Sequence, residues 1–123
     1  MRELLAITKA LADENRLRIV AALKGRELCL CQLVELLGLA TSTVSRHASL
    51  LAQAQLVESR KDGRWAYFRL TDGEAPAEAR ESLAFVLKAM ERDPQGKADR
   101  QKLRDILKQD PEELCCRQKG CKR

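Results

Sequence analysis

This 123-residue chain predicts a mostly α-helical domain with one small β-hairpin, and three observations carry that prediction. Apolar residues recur at three- and four-residue spacing through the amino-terminal half, the period of helices that bury one face. From Leu56 the period changes to alternation on either side of Asp62-Gly63, the pattern of two strands joined by a tight turn. Aromatic residues are scarce, only Trp65, Tyr67, Phe68 and Phe85, and three of them share one short stretch, so the core must be built from Leu, Ala, Ile and Val.

Leu4, Leu5, Ile7, Ala10 and Leu11 outline a first amphipathic helix over about residues 2–12. Asp13 can cap a second, whose apolar positions are Leu17, Ile19, Val20 and Leu23, and Gly25 ends it. A short third helix, about 29–37, turns Leu30, Leu33, Val34 and Leu37 inward and stops at Gly38. Thr41 is the expected N-cap of a fourth, about 41–54, held to the core by Val44, Ala48 and Leu51. The hairpin strands run from Leu56 to Lys61 and from Arg64 to Leu70, and Asp-Gly supplies a turn in which both positions favour positive φ. Pro76 introduces a fifth helix, about 76–91, with Leu83, Phe85, Val86, Leu87 and Met90 on its apolar side. Asp93-Pro-Gln-Gly96 breaks it, and a further helix at about 98–109 carries Leu103, Ile106 and Leu107. Residues 1–92 thus read as the folded domain and 93–123 as a highly charged extension, able to move as an appendage, that ends in cysteines.

An apolar content of 45% suits one globular domain that gains from dimerisation. A net charge of +5, from 23 basic and 18 acidic residues, is a mild pull toward polyanions. The start, Met1-Arg-Glu-Leu-Leu-Ala, lacks the features of a signal peptide. No apolar run approaches the ~18 residues that cross a bilayer. The expectation is a soluble cytoplasmic protein with no membrane partner. Cysteines stay reduced there, so five of them point to metal binding or redox sensing over a disulfide framework.

Helix, short helix, turn, helix and a hairpin with a basic tip is the outline of a winged helix-turn-helix, and double-stranded DNA is its expected partner. On the fourth helix Ser42, Thr43, Ser45, Arg46 and Ser49 lie away from the buried face, offering hydroxyls and a guanidinium to phosphates and base edges. His47, the only histidine, borders the buried face and reads as a packing or phosphate-contacting residue, since zinc would need companions it lacks nearby. Arg60, Lys61 and Arg64 surround the hairpin tip, shaped for phosphates beside a minor groove.

Immediately ahead of this reader stand Cys29 and Cys31, and thiolates hold soft metals and metalloids tightly. Residues two apart on a helix point ~200° away from each other, so both thiols can reach one ion only where the first turn frays or ends. Cys115, Cys116 and Cys121 form a second set in a tail with Arg117, Lys119, Lys122 and Arg123, cations that favour thiolates.

The strings Glu27-Leu-Cys-Leu-Cys-Gln-Leu33, Ser42-Thr-Val-Ser-Arg-His-Ala48 and Asp62-Gly-Arg-Trp-Ala-Tyr-Phe-Arg-Leu70 resemble the ArsR/SmtB family of metal-sensing repressors, as does Ala10-Leu-Ala-Asp-Glu-Asn-Arg-Leu-Arg-Ile-Val20. The resemblance covers about residues 3–90, and its cysteine motif is that of the arsenic-sensing branch. It implies a homodimer paired through the first and fifth helices, an operator with inverted half-sites, and release of that operator when trivalent arsenic or antimony binds as inducer. The arsenic branch usually carries a third cysteine three residues after the second, where this chain has Val34. Two arrangements supply the missing sulfur: a composite of Cys29, Cys31 and one tail thiol, which is favoured, within one chain or across the dimer, or two separate sites. Oxidation of the thiols, or a different soft ion such as cadmium, lead or copper(I), stands as the alternative trigger. An enzyme fits poorly, because His47 has no clear acid partner, Cys29-Leu-Cys31 lacks the two-residue redox spacing, and no Gly-rich cofactor loop is present. A protein-interaction module without DNA contacts rests only on the modest charge.

Overall fold

The computed structural model describes residues 1–119. In chain order they form α1 (Arg2–Leu11), α2 (Glu14–Ala22), β1 (Leu28–Cys29), α3 (Leu30–Leu37), α4 (Thr41–Gln53), β2 (Val57–Asp62), β3 (Trp65–Leu70), α5 (Ala77–Arg92), α6 (Pro94–Leu107) and α7 (Pro111–Lys119). The three strands make one antiparallel sheet in the order β1-β3-β2. The mostly helical winged helix-turn-helix expected from the periodicity is the observed fold.

Local chemistry accounts for the element ends. Asp13 caps α2 by accepting from the Asn15 and Arg16 backbone N–H groups at 2.8 and 3.2 Å. Gly38 closes α3 in the left-handed region, at φ 68°. Thr41 is a correction: Ala40 occupies the cap position of α4 with no side-chain bond, and Thr41 is already helical. The hairpin differs too. Asp62 remains in β2 opposite Trp65, so the turn residues are Gly63 and Arg64, and of Asp62, Gly63 and Arg64 only Gly63 has positive φ. β1 was not anticipated; two residues are too few to show a period.

The core is aliphatic, with Ile19, Leu23, Leu33, Leu36, Val44, Leu51, Leu56 and Leu103 nearly or fully buried. On α5, Ala79, Leu83, Val86 and Met90 turn inward, but Phe85, expected with them, is 75% exposed. Leu4 and Leu5 of α1 are also about half exposed, and α1 packs beside α5, so an apolar surface is left facing outward.

The charged extension is folded against the domain through residue 119. Asp93 caps α6 through the Gln95 and Gly96 N–H groups, and Pro94 suits its first turn. Gly96 is required by close approach, because a Cβ there would collide with the Met90 carbonyl. α6 packs on α2, α3 and α5, and α7 packs on α3, with Leu114 fully buried. Buried Asp99 of α6 receives Arg18 of α2 through two hydrogen bonds of 2.8 and 3.0 Å, while Lys102 donates to the Leu36 carbonyl at the end of α3.

Candidate functional site

The two cysteines of the third-helix motif lie on either side of a change in secondary structure. Cys29 is extended and belongs to β1, opposite Tyr67 of the wing strand β3; Cys31 is the second residue of α3. The opposing directions that two helical residues would have are thus relieved, because only one is helical. The Cys29 N–H donates to the Gln32 Oε1 at 2.9 Å, so this side chain seals the start of α3. Both thiols are buried. Burial pushes the Cys29 thiol up, partly offset by the Gln32 and Cys31 N–H groups directed at its sulfur.

α7 brings the tail to this spot. Leu114 is sunk in the core, Cys115 packs half-buried against it, and Gln118 donates to the Cys31 carbonyl at 2.8 Å. Cys115 comes close enough to Cys29 for its charge to raise that thiol further. Cys29, Cys31 and Cys115 are outside any disulfide, Cys116 is disulfide-bonded, and Cys121 lies outside the described residues. Among the described residues no three Cys, His, Asp or Glu side chains already surround a common point. Three soft donors come from three elements, β1, α3 and α7, and a shared ligand would have to draw them together.

The DNA-reading candidates lie on α4 and on the wing. On α4, Ser42, Thr43, Arg46 and Ser49 are exposed and Ser45 and His47 half-buried, while Val44, Ala48 and Leu51 anchor the opposite side. Arg60, Lys61 and Arg64 are exposed at the wing tip. Two of these cations already hold carboxylates: Arg60 grips Glu27 through hydrogen bonds of 2.9 and 2.6 Å and stacks over Tyr67, and Arg64 meets Glu112 of α7 at 3.4 Å. The Arg60 guanidinium keeps the Glu27 carboxyl below the usual range.

Sequence reading missed four participants: Gln32, Gln118, Glu112 and Arg16, which reaches His47 from α2. Gln32 had a local signal, lying three residues beyond the cap position. The others act across 31 to 87 residues of chain and had none. Among the described residues no helix is long and apolar enough to cross a membrane.

Comparison with known proteins agrees with this architecture. Residues 13–59 match the family described as bacterial regulatory protein, arsR family. The arsenical resistance operon repressor of Bacillus subtilis is 35% identical over 81 residues, covering 65% of this chain and 77% of that protein. The arsenical resistance operon repressor of Escherichia coli is 44% identical over 64 residues, 51% of this chain and 55% of its own. A solved homodimeric winged helix-turn-helix DNA-binding domain from Mycobacterium bovis, titled a possible ArsR-family transcriptional regulator, aligns with a TM-score of 0.60 at 26% identity, over 72% of this chain and 79% of that one. The chain spans little more than half the length of several curated relatives it matches.

The chain belongs to the arsR family of bacterial regulatory proteins. Its relatives are regulators, and the thiol-enzyme reading falls away with that membership.

Proposed function

We propose that this protein is a homodimeric DNA-binding repressor that releases its operator when Cys29, Cys31 and Cys115 take up trivalent arsenic, with antimony as a second inducer. The observation that carries the reading is the packing of α7 on α3, which brings half-buried Cys115 to the side of the core that holds Cys29 and Cys31, one short helix ahead of α4. Three sulfurs meet the preference of trivalent arsenic that the Cys29 and Cys31 pair alone leaves unmet, so the composite arrangement is preferred to two separate sites. The names of the Bacillus and Escherichia relatives support the same inducer.

The chemistry of buried thiols favours a metalloid over a divalent cation. Arsenous acid condenses with three thiols, each As–OH bond becoming As–S as one water leaves, so no buried thiolate need exist beforehand. Cadmium or lead must instead expel protons from a site whose burial opposes the anion. Drawing the sulfurs together pulls on Cys29, which is shared by the wing sheet and the start of α3, and so shifts α4 relative to the wing. A coupling of about 1–3 kcal/mol between the sites would give a usable change in operator occupancy.

DNA contact is assigned to Ser42, Thr43, Ser45, Arg46, His47 and Ser49 on α4 and to Arg60, Lys61 and Arg64 on the wing. The apolar surface of Leu4, Leu5 and Phe85 fits the pairing of two copies through α1 and α5.

Arsenic X-ray absorption on the full chain tests the site, alongside arsenite titration of the protein–operator complex. The expected result is three sulfur neighbours in the wild type, two in Cys115→Ser, and failure of Cys29→Ser to release DNA. Three sulfurs retained in Cys115→Ser would overturn the composite site, and normal release by Cys29→Ser would overturn the sensor.

A further inference from the structure

Arg16 is the first-turn residue of α2 whose side chain leaves its own helix altogether. Its Nε donates to the Ala10 carbonyl at 2.6 Å and one terminal nitrogen to the Lys9 carbonyl at 3.3 Å, both in the last turn of α1, where Lys9 also accepts the Ala12 N–H. The other terminal nitrogen lies 3.1 Å from Nδ1 of His47 on α4. Guanidinium has only donors, so in this contact Nδ1 presents its lone pair and the ring proton sits on Nε2. No described protein group accepts a hydrogen bond from that nitrogen, and His47 sits among Thr43, Arg46 and Ser49 on the face read above as the DNA surface.

We propose that Arg16 is a positioning residue for DNA recognition: tied to the end of α1, it holds His47 as the Nε2–H tautomer and presents that single donor to a phosphate or base-edge acceptor of double-stranded DNA. The proposal rests on the DNA-binding reading. It adds that α1, the expected dimer helix, and α4, the expected reading helix, are joined through one side chain. Because Arg16 is immobilised by two carbonyls, the imidazole is oriented before DNA arrives. An unfixed ring would divide itself between two tautomers and several rotamers.

Nitrogen-15 NMR of the imidazole in the full chain without DNA reads the tautomer directly. The expected spectrum shows protonated Nε2 and bare Nδ1 in the wild type, and a mixture in Arg16→Met. A wild-type ring protonated on Nδ1 overturns the proposal. Operator titrations complete the test, with thermal melts to establish that each variant is folded. Arg16→Met is expected to weaken binding about threefold to tenfold, the scale of one hydrogen bond, with Arg16→Lys recovering part of it. In a His47→Asn background, which keeps the Nδ1-side acceptor but lacks the outward donor, Arg16→Met should cost little more. Equal loss in both backgrounds makes Arg16 merely structural and overturns the proposal. Should the wild type ignore operator DNA while its imidazole shows the expected tautomer, the DNA-binding reading fails instead.

Discussion

Cys29 of β1 lies opposite Tyr67 of β3 in the antiparallel ladder, so the first thiol of the candidate sensor is also a member of the wing's sheet. Trp65, the only tryptophan, stands two residues along the same strand. A ligand that pulls Cys29 should therefore be visible in tryptophan emission. Arsenite is expected to change the fluorescence of the wild type saturably, and Cys29→Ser should abolish the change. An unaltered spectrum at saturating arsenite would show that the wing does not follow the site.

The ion pair between Arg18 and Asp99 fixes α6 to α2 with side chains only 14% and 8% exposed. Removing one partner strands a buried charge, a loss of about 3–5 kcal/mol. Asp99→Ala should lower the denaturant midpoint accordingly, whereas replacing both partners with apolar residues should recover much of it. A loss below ~1 kcal/mol in Asp99→Ala would mean that the pair is solvated in solution.

Phe85 is 75% exposed on α5, which packs beside α1 with its half-exposed Leu4 and Leu5. A charge at its centre should prevent this surface from pairing with a second copy. Sedimentation of Phe85→Glu is expected to give a folded monomer where the wild type is a dimer; a dimer unaffected by the substitution would move the interface elsewhere.

Asp13 shows how the helix-turn-helix entry depends on pH. Burial raises its carboxyl, but the Arg16 and Asn15 N–H groups outweigh that and leave it below the ordinary aspartate value. A depressed folded value means that the cap stabilises above the unfolded pKa, about 3.9, and the contribution disappears as pH falls through the folded one. Asp13→Ala should therefore cost about 0.5–2 kcal/mol at neutral pH and nothing in strong acid. An equal deficit at both ends of a pH series of melts would contradict this origin.

Arg60 meets DNA only by changing partner, since Glu27 holds it through two hydrogen bonds. If phosphate replaces Glu27, Arg60→Ala should reduce the slope of log K against log salt by about 1, and Glu27→Gln should tighten operator binding. A slope unchanged in Arg60→Ala would leave this arginine as a brace between the wing and the loop before β1.

The helices and hairpin were legible because their periods are local: Val44, Ala48 and Leu51 mark the buried side of α4 from spacing alone. Gly38 and Asp13 announced their ends through chemistry acting within a few residues. Phe85 was misplaced by the same reasoning, since an apolar residue reads as inward whether the neighbour that covers it belongs to its own chain or to another. The composition of the extension pointed to a charged appendage, yet apolar Leu103, Ile106 and Leu114 were enough to bury one stripe of each helix.

What the residues determined unaided is the order of elements, the exposed polar face of α4, the basic wing tip and the presence of thiols ahead of it, all of which follow from contacts between near neighbours. Which tail cysteine approaches Cys29, which carboxylates occupy the wing arginines and which cation meets His47 were decided only by packing α7 on α3, the extension beside the wing and α2 across α4. Those pairings join positions far apart in the chain, and no periodicity records them. They exist because the buried faces of the helices leave few ways to stack, and each stacking carries its polar side chains along.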